Sequence, residues 1–192
     1  MIATSFHDDL AKAVEVLRAG GIILYPTDTV WGIGCDATNA VAVKRIYEIK
    51  QREDSKSMLI LMENENLLNS YVTEVPEVAW DLIEVSESPL TIIYPAAKNL
   101  AANLLAADRS IGIRITREAF TQQLIQRFRR PIVSTSANIS GEKSPRNFAE
   151  ISSMIKDKMD YVVNYRRDDL SESVPSSIIK LGVGGQIEII RK

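Results

Sequence analysis

Short, continuous runs of apolar residues alternate along this chain with stretches that have the apolar spacing of a helix. The apolar runs lie at residues 22–25, 58–62, 90–94, 111–115 and 131–136, and further strands are expected at 161–163, 176–181 and 186–191. Helical spacing covers residues 10–17, 40–50, 76–86, 117–129 and 147–158. A strand that is apolar at every position has both faces buried. The alternation therefore predicts an α/β fold in which helices cover both faces of the sheet.

The length and charge of the chain fit one domain without a membrane span. A chain of 192 residues can bury one sizeable core and is short for two, so we expect a single domain over residues 1–192. A formal net charge of −2 argues against a surface that binds nucleic acid over its whole extent, although it leaves room for a local basic patch. No apolar run is long enough to cross a bilayer and no signal peptide is visible, which favours a cytoplasmic protein.

Cysteine and histidine are too scarce for several classes of site. The single cysteine, Cys35, excludes an internal disulfide framework and zinc sites with several cysteine ligands. The single histidine, His7, excludes His-rich metal sites, and any Ser-His-Asp arrangement would have to use it.

The segment YPTDTVWGIGCDA follows the first apolar run and contains a match to the dinucleotide pattern G-x-G-x-x-[GA] at residues 32–37. In a true dinucleotide site the glycines turn directly off the strand, whereas here residues 26–31 intervene. We therefore expect a glycine-bearing loop between strand and helix. Thr27, Asp28 and Thr29 are either an ordinary polar loop or a ligand contact, since ligands of open α/β sheets bind at the carboxyl ends of strands.

The apolar run at 131–136 continues into an unusually polar stretch, IVSTSANISGEKSP. In a strand, Ser134 and Ser136 share one face, and Asn138 joins them if the extension continues, while Thr135 takes the other face. Hydroxyl and amide groups at the end of a strand can bind phosphate oxygens, a metal-bound water or an amino-acid head group. Helix capping by Ser140 or Ser144 explains one or two of these residues, but not the alternating set.

Several cations accompany these hydroxyls. If the second helix ends near Lys50, the extended stretch that follows places Lys50, Arg52 and Lys56 on one side; the alternative is a solvated charge run. Arg114 lies inside the apolar run IGIRI, where a guanidinium must reach a carboxylate, a phosphate or solvent. Cations and neutral donors with few carboxylates indicate an anionic, nucleotide-like ligand. The residue pattern alone goes no further.

A set of these segments together resembles the threonylcarbamoyl-AMP synthase family (YrdC/TsaC type) in its single-domain bacterial form. The resemblance rests, in chain order, on YPTDTVWGIGCDA, the K-x-R of residues 50–52, SPLT at 88–91, IGIRI, STSANISGEKSP and VPSSIIKL. It implies a YrdC/RibB-like α/β fold, with a twisted mixed β-sheet flanked by helices and a concave, positively charged groove.

The resemblance also implies a reaction and its partners. L-threonine, bicarbonate and ATP, with Mg²⁺, would give L-threonylcarbamoyl-AMP and diphosphate, and downstream threonylcarbamoyl-transferase proteins would pass the group to adenosine 37 of tRNA. Two alternatives stay open. One is a non-catalytic paralogue that binds tRNA or double-stranded RNA. The other is a carbamoyl-adenylate domain of the hydrogenase-maturation type, which the absence of a cysteine-rich zinc module argues against.

Site residues follow from the resemblance by matching motifs, and none of them is a metal ligand. The implied catalytic set is Lys50, Arg52, Ser136 and Asn138. The implied threonine contacts are Thr29, Arg114, Ser134 and Ser176. The implied ATP contacts are Arg52, Lys56, Ser110, Ser136, Ser144 and Arg191. Trp31 stands where the family usually has Tyr, and Leu61 where some members have a His that contacts threonine, so the shape of the threonine pocket is expected to differ.

Overall fold

The fold, given by a computed structural model that describes residues 5–51, 58–172 and 174–192, is built on one mixed β-sheet. Its strands, in chain order, are β1 (Ile23–Tyr25), β2 (Gly32–Gly34), β3 (Leu59–Met62), β4 (Leu90–Tyr94), β5 (Ile111–Ile115), β6 (Ile132–Ser136), β7 (Tyr161–Val162), β8 (Ser177–Leu181) and β9 (Ile187–Arg191). Their spatial order is β7-β1-β2-β6-β3-β5-β4-β8-β9. The pairs β1–β7, β3–β5 and β4–β8 are parallel and the others antiparallel.

Helices connect most of these strands. They are α1 (Phe6–Arg18), α2 (Ala40–Lys50), α3 (Leu68–Tyr71), α4 (Val78–Val85), α5 (Ala119–Phe128) and α6 (Ser153–Lys156), with short 3₁₀ turns at Glu65–Leu67, Ala102–Leu104 and Phe148–Glu150. The α1 helix begins with a capping box, in which the Ser5 side chain accepts from the Asp8 amide and the Asp8 side chain accepts from the Ser5 amide. The α2 helix begins at the N-cap Asn39 and ends at Gln51, which is left-handed. No helix in these ranges is both long and apolar enough to cross a membrane.

Two apolar cores lie on opposite faces of the sheet. On one face α1 and α5 pack over side chains such as Tyr25 and Leu61. On the other face α2 and the connecting turns pack over a larger core that includes Ile33, Ile60 and Ile113. The first core covers only part of its face, and the part over β4, β5 and β8 carries polar side chains instead. The uncovered part positions the candidate site.

The expected fold class is confirmed, and two local expectations are wrong. Residues 32–34 form β2 rather than a loop. Glycine is required at position 34, because a Cβ there would come within 2.6 Å of a Tyr25 ring carbon and of the Val133 carbonyl oxygen. The helix expected at 147–158 is divided into a 3₁₀ turn and α6, because two separate N-caps occur in it. Asn147 accepts from the amide of Ala149, and Ser152 from that of Met154.

Candidate functional site

A cleft of about 260 Å³ opens on the polar part of the sheet. Its lining comes from six strands or their flanking loops: Thr29, Val30, Gly32, Met58, Leu59, Arg114, Ser134, Thr135, Ser136, Ser144, Pro175, Ser176, Ile178 and Arg191. Every residue assigned to threonine from the sequence is in this set, together with three of those assigned to ATP, Ser136, Ser144 and Arg191. Residues that are far apart in the chain therefore meet in one place.

Arg114 provides the buried charge of the cleft. Its side chain is 3% exposed, because β5 lies inside the sheet, and it points to the face opposite Ile113. Its Nη2 lies 3.0 Å from Asp28 Oδ1, an ion pair without hydrogen-bond alignment, because that oxygen has no hydrogen-bond partner among the described residues. The Nε of Arg114 is also buried and lacks such a partner there. A buried guanidinium with donor capacity left over suits a carboxylate ligand.

Arg191 brings a second cation to the cleft from the end of β9. Its Nε and Nη2 both donate to the carbonyl oxygen of Ser176, at 2.9 and 2.6 Å. Burial, and secondly the positive charge of Arg114, lower the pKa of the Arg191 guanidinium. The two cations therefore act on each other as well as on any ligand, and an anion bound between them relieves their repulsion.

Hydroxyl groups line the rest of the cleft. The Thr27 hydroxyl donates to the Val30 carbonyl at 2.7 Å and accepts from the Thr29 amide at 3.0 Å. The Thr29 hydroxyl, 3.1 Å away, then donates to Thr27 and keeps its lone pairs for a ligand. On the other side, the hydroxyls of Ser176 and Thr91 are 2.8 Å apart. The hydroxyls of Thr29 and Ser176 are thus each held by a neighbouring hydroxyl.

Lys50 lies behind the cleft and is not part of its lining. Its ammonium, 1% exposed, donates to the carbonyl oxygens of Ser136 and Asn138 at 2.5 and 2.7 Å. The Ser140 amide donates back to the Lys50 carbonyl at 2.9 Å. Lys50 therefore holds the C-terminus of α2 to the segment after β6, which is a positioning role, and its membership of the catalytic set stays a prediction.

Asn138 also shapes this segment. Its side-chain amide donates to the carbonyl oxygens of Ile139 and Glu142, at 2.8 and 2.9 Å, while its Oδ1 is buried without a hydrogen-bond partner in the described part of the chain. The condition for Asn138 to share a face with Ser134 and Ser136 is not met, because the chain turns after Ser136 and is no longer extended.

Ser110, which the resemblance assigns to ATP, is not among the described residues that line the cleft, and its assignment stays a prediction. Ser110 precedes β5, while Arg114 lies near the other end of that strand, roughly 13 Å farther along an extended chain. Its hydroxyl and amide both bond to Asp108 Oδ1, at 2.5 and 3.0 Å, and Asp108 in turn accepts from Lys180 at 2.8 Å. Ser110 is therefore a buried residue that closes the turn before β5, and its hydroxyl is bonded to Asp108.

The remaining predicted residues lie outside what the structure describes or beside the cleft. Arg52 and Lys56 are outside the described residues. Leu61 is buried in the core under α1 and α5, next to Arg114 across the β3–β5 pair. Trp31 packs against the ring of Phe148, with centroids 4.8 Å apart, and so supports the loop that carries Thr29.

Sequence reasoning did not assign Asp28 to the site. The only signal for it was its position in the polar PTDT segment at the end of a strand. In the described ranges, no three side chains of the types His, Cys, Asp or Glu come together in a way that could hold a metal ion. The donors that line the cleft suit phosphate and carboxylate oxygens, and do not form a resident site for Mg²⁺.

Comparisons with known proteins agree with this geometry. A family model described as "Sua5_yciO_yrdC: Telomere recombination" matches residues 15–192. A threonylcarbamoyl-AMP synthase of Pseudoalteromonas translucida (strain TAC 125) is 34% identical over 186 residues, which is 95% of this chain and 98% of that protein. A protein of the same name from Enterobacter sp. (strain 638) is 31% identical over 157 residues, 80% of this chain and 83% of that protein.

Solved structures share the fold. The H234A/Y235A variant of P. abyssi Sua5 superposes with a TM-score of 0.85 at 27% identity, over 97% of this chain and 56% of that chain. P. abyssi Sua5 complexed with L-threonine gives 0.81 at 26% identity, over 92% and 52%. E. coli YciO gives 0.82 at 25% identity, over 95% and 88%. The chain thus spans a little over half of the Sua5 chains but most of the other relatives named. It belongs to the Sua5/YciO/YrdC family.

Proposed function

We propose that this protein is a threonylcarbamoyl-AMP synthase, which forms L-threonylcarbamoyl-AMP and diphosphate from L-threonine, bicarbonate and MgATP. The observation that carries the proposal is the buried Arg114 guanidinium, whose Nε has no partner among the described residues, in a cleft that also presents Arg191 and several hydroxyl groups. The identity to synthases of the same length, and the likeness to a Sua5 solved with L-threonine, support the choice of substrate.

Arg114 would bind the threonine carboxylate, and its neighbours would fix the rest of the molecule. The carboxylate can take up the free donors of the guanidinium beside the Asp28 ion pair. Thr29, Ser134 and Ser176 then lie within the same cleft to hold the amino and hydroxyl groups. Arg191 binds the backbone carbonyl of Ser176. A threonine held by Arg114 and Ser176 therefore lies in a fixed position relative to Arg191.

The triphosphate would lie toward Ser136, Ser144 and Arg191. We retain Arg52 and Lys56 as further ATP contacts on the resemblance alone. Mg²⁺ enters as part of MgATP, the substrate complex, with its ligands on the phosphates.

The chemistry needs no nucleophile from the protein. The threonine amine and bicarbonate form a carbamate with loss of water, and a carbamate oxygen attacks the α-phosphorus of ATP. The bond to the bridging oxygen of the β-phosphate breaks, and diphosphate leaves with the electron pair. The chain's contribution is to hold two anions together in reacting geometry and to neutralise their charge. The product would then be passed by partner proteins to tRNA in the cytoplasm.

Arg114→Lys tests this assignment, since it keeps the charge and loses the planar guanidinium fork. Hydrogen bonds to charged groups contribute about 1.5–3 kcal/mol, so we expect the KM for L-threonine to rise about tenfold or more while the KM for ATP changes much less. The assay is diphosphate release that requires both L-threonine and bicarbonate. Arg127→Lys, an exposed arginine outside the cleft, is the matched control.

Two results would contradict the proposal. One is diphosphate release by the unmodified protein that ignores threonine or bicarbonate. The other is the absence of nucleotide turnover together with tight RNA binding that weakens steeply with salt, which would support the non-catalytic RNA-binding alternative.

A further inference from the structure

A second, larger cavity lies on the opposite face of the sheet from the cleft. It has a volume of about 530 Å³, within the range of small-molecule sites. Its floor includes Ile92 and Ile113, which alternate along β4 and β5 with Thr91 and Arg114 on the cleft side. Its wall is α4 with the segment that follows it, through Leu90.

The body of this cavity is apolar and aromatic. Trp80 and Ile83 project from α4, and Tyr94 and Ile115 from the sheet. Trp80, Ile83 and Ile115 are only partly buried, so their exposed surface faces the cavity rather than the core. A ligand with an aryl or alkyl body would remove this surface from water, which is favourable in proportion to the apolar area covered.

The rim of the cavity is acidic. Asp28, Glu65, Glu84 and Glu87 contribute carboxylates, and Arg117 is the one cation among the described lining residues. Its Nη2 donates to the carbonyl of Ile83 at 3.4 Å. Glu65, Glu84 and Glu87 form no ion pair with any described residue. Asp28 is paired with Arg114, but the three glutamates outnumber Arg117, so the rim carries an excess of negative charge that complements a cation.

We propose that this cavity binds a small organic amine, with its apolar body against Trp80 and the isoleucine side chains and its ammonium against the rim carboxylates. An alcohol of the same shape would keep the apolar contacts and lose the charge, and a carboxylic acid of similar shape would be repelled.

Asp28 connects this cavity to the cleft. It lines the cavity and also forms the ion pair with Arg114. On the proposed function, the threonine carboxylate shares the Arg114 guanidinium with Asp28, so Arg114 neutralises the charge of Asp28 less fully and Asp28 attracts the amine more strongly. Amine and threonine then favour each other's binding by the same factor, as thermodynamic linkage requires.

The direct test is NMR titration of the full chain with 2-phenylethylamine, 2-phenylethanol and 3-phenylpropionate, observed at the indole N–H signals. The chain has two tryptophans, so Trp31, which does not line the cavity, is the internal control for Trp80. We expect the Trp80 signal to move with a Kd for the amine about fivefold below that for the alcohol, and little response to the acid.

The matched variants are Glu84→Gln with Glu87→Gln, and Asp81→Asn. Asp81 is exposed on the same helix but does not line the cavity, so its removal changes the overall charge alone. We expect the double variant to raise the Kd for 2-phenylethylamine about fivefold and Asp81→Asn to leave it within about twofold. Equal affinity for amine and alcohol, an unaffected double variant, or a shift of Trp31 alone would overturn the proposal.

The same titration in the presence of L-threonine tests the connection through Asp28. We expect the Kd for the amine to fall about fivefold, and this decrease to be lost in Asp28→Asn. If L-threonine leaves the Kd for the amine unchanged, the coupling through Asp28 is refuted, while the proposal of an amine site in the cavity still stands. Amine binding in a protein that does not bind threonine at all would count against the proposed function and not against the cavity.

Discussion

Replacing Lys50 by Met distinguishes a support from a substrate contact at this position. Met fills a similar volume but leaves the carbonyl oxygens of Ser136 and Asn138 buried without their charged donor. Each orphaned acceptor costs about 1–3 kcal/mol, and removing the desolvated ammonium offsets part of this cost. We expect the free energy of unfolding to fall by about 2–4 kcal/mol.

The assay is urea unfolding followed by circular dichroism. With a slope of about 2 kcal/mol per molar urea, the midpoint should fall by about 1–2 M. The matched control is Lys44→Met on the same helix. Lys44 is exposed and lies 4.0 Å from Glu48, and this pair contributes at most about 0.5 kcal/mol.

Activity measured in parallel completes the test. If Lys50 supports the segment after β6, loss of diphosphate release accompanies loss of stability. A Lys50→Met protein that has the same urea midpoint as the unmodified protein but is inactive would refute this reasoning. That result would indicate that Lys50 contacts the substrate directly.

Two further predictions concern the sheet and the surface. Gly34→Ala should lower the free energy of unfolding by about 1–3 kcal/mol and reduce the melting temperature, because the new Cβ would meet atoms at 2.6 Å; Gly112→Ala, whose nearest contacts are at 3.3 Å, should cost less. Hydrogen bonds from Lys180, and then from Ser110, hold the pKa of Asp108 below its ordinary value. The stability from this carboxylate is therefore present above its unfolded pKa of about 3.9 and is lost as pH falls below it. Asp108→Asn should be less stable than the unmodified protein at pH 7, and melting curves from pH 7 to pH 3 should show the difference shrinking, whereas a constant difference would contradict the assignment.

Local patterns predicted most of the regular structure. The apolar runs at 90–94 and 111–115 coincide with β4 and β5, and the helical spacing at 40–50 coincides with α2. These features are encoded within a few residues, since burial on both faces of a strand requires an apolar residue at each step. The β2 strand escaped prediction because its two glycines carry no apolar signal, and the ring of Tyr25 that requires one of them comes from another strand.

The candidate site was predicted residue by residue but not as an arrangement. Ser110 and Ser176 are chemically alike and both lie beside a strand, yet only Ser176 reaches the cleft. Whether a serine beside a strand reaches the cleft depends on which ends of the strands lie together in the sheet. The order of the strands in the sheet decides this. Asp28 was likewise ambiguous in sequence, because its partner Arg114 is far away along the chain.

The sequence by itself determined the fold class and the chemical inventory: alternating buried strands and helices, one histidine, one cysteine, and hydroxyls with cations at strand ends. The tertiary structure alone decided that Lys50 bonds to backbone carbonyls, that Arg114 faces the cleft beside Asp28, and that a second cavity lies behind them. The physical reason is the separation along the chain over which each effect acts. Side-chain periodicity acts over a few residues, whereas a buried charge is positioned by partners that only the assembled sheet brings within about 3 Å.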